Sequence, residues 1–158
     1  MKVKNIEILK YQNFIPNILK KITKKDYIIY QIGLTDILKQ NKNTEYSIEE
    51  LISQNRKIIN EILQSSNITE SNLLILPILP TTNPILNNQI IEFNYLIAKN
   101  CYETGIEFLD IYELFLDEKN LLKLDYTKNG ITLNQNGYKV LASQINGYIQ
   151  LIENSYYK

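Results

Sequence analysis

Short apolar runs and stripes of helical period alternate along the chain, and together they predict a strand–helix order. Residues 3–9 suit a short strand. Asn13 then offers an N-cap to a stretch in which Phe14, Ile15, Ile18, Leu19 and Ile22 share one face and Pro16 fits the first turn. Residues 27–32, a nearly continuous apolar run ending at Gly33, predict a strand covered on both faces and central in its sheet. Ser47 and Glu50 have the spacing of a capping box. Ile48, Leu51, Ile52, Ile58, Ile59, Ile62 and Leu63 then continue at helical period to about Ser65. Residues 72–80 read as a second buried strand stopped by Pro77 and Pro80. Ile90, Phe93, Ile97 and Cys101 line one side of a following helix, which Gly105 ends as a C-cap. Residues 106–111 supply a third buried strand. A last helix starts near Asn134 and turns Tyr138, Leu141, Ile145, Ile149 and Ile152 inward. Such alternation predicts one α/β domain over residues 1–158, a short parallel sheet with helices on both faces.

Composition narrows the partners. The four residues Ile, Leu, Val and Phe make up 54 of the 158 positions, about a third, so the chain can bury a core. With 17 basic and 17 acidic side chains it has no net charge, so no long-range field gathers nucleic acid or anionic lipid. No apolar run reaches the length of a membrane span and the first residues lack a signal peptide's apolar stretch, so a cytoplasmic location is expected. One cysteine excludes an internal disulfide, and the absence of histidine excludes the usual zinc sites and any imidazole-based triad. No cofactor or metal is expected. With 20 Asn and 12 Tyr residues, an individual Asn or Tyr carries less information than usual.

In an open parallel sheet, ligands meet the loops at the carboxyl ends of the strands, which here are residues 33–36, 80–84 and 126–136. Gly33-Leu34-Thr35-Asp36 after a strand, then the run through Leu76-Pro77-Ile78-Leu79-Pro80, then Gly105 to Asp110, and finally residues 129–138 follow one another in an order that resembles the SGNH (GDSL-type) hydrolases over about residues 3–154. The resemblance implies a three-layer α/β/α, flavodoxin-like fold and removal of acyl groups from esters. It implies a nucleophilic serine in a Gly-Asp-Ser block, an oxyanion hole using a glycine and an asparagine, and an Asp-x-x-His block near the C-terminus.

Matched residue by residue, Gly33 and Asp36 take the outer positions of the family's Gly-x-Asn-Asp block, with Thr35 in place of the asparagine. Asn129 falls on the catalytic aspartate and Thr132 on the histidine. One strand and one helix precede residues 27–32 where the family has two strands. If residues 3–9 match the family's first strand, Lys10-Tyr11-Gln12 replaces Gly-Asp-Ser; if they match the second, the block is absent. Neither alignment leaves a serine. Thr132 is no base near neutral pH, and Asn129 carries no charge to stabilise an imidazolium.

The expectation is therefore a catalytically inactive, shortened SGNH-like domain acting as a binding or protein-interaction module. The alternative is an esterase acting through a rearranged site on an acylated carbohydrate or other small ester. Loss of a family strand either joins its neighbours directly or leaves sheet edges to cover, and a homo-oligomer or an SGNH-like partner chain would supply that cover. Several other residues have simpler structural readings. Asp36, opening a turn after a strand, suits capping of backbone amides, and Cys101 suits the core. Gly130 and Gly137 suit turns or close packing, and Asp110, Glu113, Asp117 and Glu118 suit a solvated loop better than a cation site. Tyr126, Tyr138, Tyr156 and Tyr157 are candidates to stack on a sugar or a partner.

Overall fold

The computed structural model describes residues 21–40, 47–65 and 67–155. The strand expected over residues 3–9, the helix capped by Asn13, Lys10-Tyr11-Gln12, and Tyr156 and Tyr157 lie outside the described residues. Described in chain order are β1 (Ile28–Tyr30), α1 (Leu34–Gln40), α2 (Ile48–Ser65), β2 (Leu73–Ile75), α3 (Pro84–Thr104), β3 (Glu107–Phe108) and α4 (Gln135–Ser155). Short 3₁₀ turns occupy Glu70–Asn72, Tyr112–Phe115 and Leu124–Tyr126.

The strands are parallel in the order β1-β2-β3, with Ile28 beside Leu73 and Tyr30 beside Ile75 in one pair, and Ile75 beside Phe108 in the other. The two-residue period of a strand divides the apolar side chains between two faces. Tyr30, Leu73 and Ile75 enter a core with Ile37 of α1, Leu51, Ile59 and Ile62 of α2, and Ile90, Phe93 and Ile97 of α3. Leu74 and Leu76 enter a second core with Ile111, Phe115, Leu122 and the α4 residues Leu141 and Ile145. Helices thus cover both faces, giving the three-layer α/β/α arrangement. Among the described residues no helix is long and apolar enough to cross a membrane.

The strands are shorter than their apolar runs. Pro77 has no N–H to donate, so the β2 ladder stops before it. A side chain then takes the place of a neighbouring strand: Ile78 N donates to Asn94 Oδ1 (2.8 Å) and Asn94 Nδ2 donates back to Ile78 O (2.8 Å). Among the described residues β2, buried throughout, holds the centre expected for residues 27–32, and the first two residues of β1 are half-buried. The run 106–111 is not a fully buried strand. Only Glu107 and Phe108 pair, and Glu107 is exposed.

The helix ends follow local chemistry. Ser47 N donates to Glu50 Oε2 (2.8 Å) and Glu50 N to Ser47 Oγ (3.2 Å), a complete capping box. Asn83 caps α3 by accepting from Ile85 N and Leu86 N, with Pro84 in the first turn. Gly105 ends α3 at φ 73°, and Asn134 caps α4 through Asn136 N and Gly137 N. Within α4, Leu141 and Ile145 are buried as the pattern requires, but Tyr138 is 44% exposed. It stands at the rim of a cleft at the carboxyl ends of β1 and β2.

Candidate functional site

The carboxyl ends of β1 and β2 and the loop before α4 enclose a cleft of about 190 Å³. Gly33, Ile78 and Leu141, all buried, form its deeper part, while Thr35, Ile131, Thr132 and Tyr138 stand nearer solvent. Ile32, Leu34, Leu38, Leu79 and Leu133 make the walls largely aliphatic. Among these lining residues Tyr138 is the one ionisable side chain.

Gly33 is required by its backbone and by its neighbours. It has φ 128°, and an added Cβ would come within 2.8 Å of Phe93 Cζ and 2.9 Å of Ile78 Cδ1. The chain therefore passes close over the first core before turning into α1, whose first hydrogen bond runs from Ile37 N to Gly33 O (2.9 Å). Asp36 does not open a turn. It is the third residue of α1, 5% exposed, and lies outside the cleft lining, whereas Thr35 beside it contributes to the wall. The helix was legible in Leu34, Ile37 and Leu38, which have helical spacing and pack on the first core.

The other side of the cleft is a loop folded on its own side chains. Asn129 Oδ1 accepts from Ile131 N (3.0 Å) and Thr132 N (2.8 Å), and Asn129 Nδ2 donates to Thr132 Oγ1 (3.0 Å). Thr127 Oγ1 donates to Thr132 O (2.7 Å) and accepts from Gly130 N (3.0 Å). Asn129 thus satisfies the turn, as an Asx side chain does well, and Thr132 is its partner. Only Thr132 of the two reaches the cleft. Asn129 faces an adjoining polar hollow shared with Lys128, Asn134, Gln135 and Asn136.

The loop is pinned from below by Thr81 and Thr82, in the loop 80–84 expected beside the site, and by Asn87, which the pattern did not single out. Thr82 N donates to Gly130 O (2.8 Å), and Gly130, at φ 76°, has no room for a Cβ against Thr82 Oγ1. Thr81, wholly buried, is held by Asn87 of α3: Thr81 N and Oγ1 donate to Asn87 Oδ1 (2.7 and 2.8 Å), and Asn87 Nδ2 donates to Thr81 O (2.9 Å). Leu122 N also donates to Thr81 O (3.0 Å). Asn87 and Asn94 lie seven residues apart on the inward side of α3, and a polar residue there signals a buried partner. The many other asparagines hid that signal.

The remaining candidates take structural places. Cys101 is buried in the first core, and burial pushes its thiol up to about 11. Gly137 packs where an added Cβ would lie 2.7 Å from Tyr126 O. Tyr126 packs edge-on against Phe115, ring centroids 5.8 Å apart, with Lys123 Nζ 5.4 Å from its ring centre. Asp117 Oδ1 accepts from Lys119 N (2.8 Å) and Leu121 N (3.0 Å) in its own turn. Among the described residues no three His, Cys, Asp or Glu side chains gather as a metal site needs. Chemically, the described lining offers aliphatic contact, the hydroxyls of Thr35, Thr132 and Tyr138 and the amide of Gln31, with no carboxylate or amine.

Comparison with known proteins gives a consistent outcome. Residues 2–145 match the family model of GDSL-like lipases/acylhydrolases. An acetyl xylan esterase, AlAXEase, superposes with a TM-score of 0.74 at 16% identity, over 93% of this chain and 78% of its own. A GDSL-like lipase from Bacteroides thetaiotaomicron gives 0.70 at 17% identity, over 92% and 69%. The OSK domain of Drosophila Oskar gives 0.63 at 18%, over 89% and 69%. No curated protein matches the sequence.

Proposed function

The chain belongs to the GDSL-like lipase/acylhydrolase family, and we propose that it is a member whose cleft no longer cleaves esters and serves instead as a binding or protein-interaction module. The observation that carries this reading is the closed pair Asn129–Thr132 at the positions matched to the family's aspartate and histidine. The Asn129 amide is hydrogen-bonded both to the Thr132 hydroxyl and to two N–H groups of the loop backbone. Acyl transfer through a hydroxyl nucleophile requires a base to take its proton and a charged group to stabilise that base once protonated. The chain has no histidine, and neither an amide nor an aliphatic hydroxyl substitutes for one near neutral pH. The cleft is lined largely by aliphatic side chains, which suits contact with an apolar group and needs no proton transfer.

A second reading is favoured by family membership and by the fit to the acetyl xylan esterase. It is a hydrolase of acylated carbohydrate or another small ester working through a rearranged site, with Asp36 as its carboxylate and Thr35 or Thr132 supplying a hydroxyl. Hydrolysis of a short aryl acetate separates the two. The proposal expects a rate equal to the buffer blank. Turnover above the blank that vanishes in Asp36→Asn and falls in Thr35→Val or Thr132→Val would replace it with the second reading.

A further inference from the structure

The outward face of α3 is apolar and aromatic where a solvated helix is normally polar. At about 100° per residue, Ile91, Tyr95 and Tyr102 fall on one narrow stripe, flanked on one side by Glu92 and Lys99. The opposite side of the helix buries Leu86, Ile90, Phe93 and Ile97, so the stripe points away from the core. Ile91 is 52% exposed, Tyr95 67% and Tyr102 90%. Tyrosine offers large contact area at small entropic cost, which is why it is enriched in the centres of interfaces.

The charges on this face identify the occupant. Glu92 and Lys99 are both exposed and lie two helical turns apart, about 10 Å, too far to pair within the helix. If α3 of a second copy lies antiparallel about a two-fold axis level with Tyr95 and Leu96, Glu92 of each copy stands opposite Lys99 of the other. The same register brings the two Tyr95 rings together at the centre and sets Asn88 level with Glu103 of the second copy, so no like charges oppose each other. A parallel two-fold arrangement would instead put each Glu92 and Lys99 on opposite flanks of the contact from its copy, where neither meets an opposite charge. The antiparallel two-fold is therefore the arrangement in which this face is complementary to itself.

We infer that the chain self-associates as an antiparallel α3–α3 dimer centred on Tyr95, with reciprocal Glu92–Lys99 pairs fixing its register. The inference rests on the interaction side of the proposed function and places the contact on a helix face, where the sequence pointed to sheet edges. The two fail separately: ester turnover by a dimer overturns the inactive-domain reading alone, and a monomer without turnover overturns the dimer alone.

Sedimentation velocity of the purified chain from about 1 to about 100 µM is the test. The unaltered chain is expected to reach twice its 18.5 kDa mass. Glu92→Lys and Lys99→Glu each turn two attractive pairs into two repulsive ones and are expected to weaken association about tenfold or more. Mixed in equal amounts, these two variants are expected to regain association, because every facing pair is again of opposite sign. Tyr95→Ala, shown to be folded by circular dichroism, is expected to be monomeric. A monomer at every concentration overturns the inference, as does a dimer unaffected by all three substitutions or a mixture of the charge variants that fails to associate.

Discussion

Replacing Asn87 by leucine tests the polar chain that carries order from α3 to the wall of the cleft. The two side chains have the same number of heavy atoms and both branch at Cγ, and the site is 4% exposed, so the change removes the hydrogen bonds without truncating the side chain. Not every broken bond leaves an orphan. Thr81 O keeps Leu122 N at 3.0 Å, and Thr81 Oγ1 retains Asn83 O at 3.2 Å. Thr81 N, inside a wholly buried residue, loses its acceptor at 2.7 Å. One stranded amide costs about 1–3 kcal/mol and each rerouted bond about 0.5–1.5 kcal/mol, partly offset by the buried leucine, so about 2–3 kcal/mol of stability should be lost. In a chain of this length that lowers the midpoint of thermal unfolding by about 5–10 °C. Urea denaturation should give a lower midpoint with an unchanged slope. Thr81→Val in the Asn87→Leu background should cost less than in the unaltered chain, by about 0.5–1.5 kcal/mol, because the Oγ1–Oδ1 bond is already gone. Amide exchange at Ile131, Thr132 and Leu133 should quicken as the Thr82–Gly130 link loosens. A loss below about 1 kcal/mol, or strict additivity of the two substitutions, would refute the assignment of Asn87 as the anchor.

Three further outcomes follow from local geometry. Gly130→Ala should destabilise by about 2–4 kcal/mol through positive φ and collision with Thr82. Gly105→Ala, at a similar φ with nothing within 4 Å, should cost only about 1 kcal/mol, and equal costs on urea denaturation would contradict the Thr82 contact. The Cys101 thiol, buried and raised to about 11, should resist a thiol-labelling reagent at pH 8 until the chain is unfolded, so stoichiometric labelling of the native state would disprove its core position. Hydrogen bonds from Leu121 N and Lys119 N, with Lys119 and Lys123 nearby, hold the Asp117 carboxyl below its ordinary 3.8. The stability it contributes is therefore present above that value and lost as pH falls through the lower folded one. Asp117→Asn should flatten the acid limb of a stability–pH curve, and an unchanged limb would count against this pairing.

What could be read in advance was what neighbouring residues decide between themselves. The capping box of Ser47 and Glu50, the αL stop at Gly105 and the inward stripe of Ile90, Phe93, Ile97 and Cys101 each depend on positions within a few residues of one another. The positions matched to the family's site at Gly33, Thr35 and Thr132 also came together on one cleft, since they follow from the order of strands and loops. Asp36 and Asn129 did not line it: a seven-residue helix took in the first, and the second bonded to its own turn.

The sequence by itself determined the alternation of elements, the two apolar faces of the sheet and the lack of any imidazole, because period, capping and composition are local or global properties of the chain. The tertiary structure decided that Asn94 stands in for a strand beside Ile78, that Asn87 holds Thr81, and that Thr82 holds Gly130. Each of those outcomes pairs a polar group with another 6, 16 or 48 residues away. Where several asparagines could satisfy the same buried backbone group, only packing in three dimensions selects which one does.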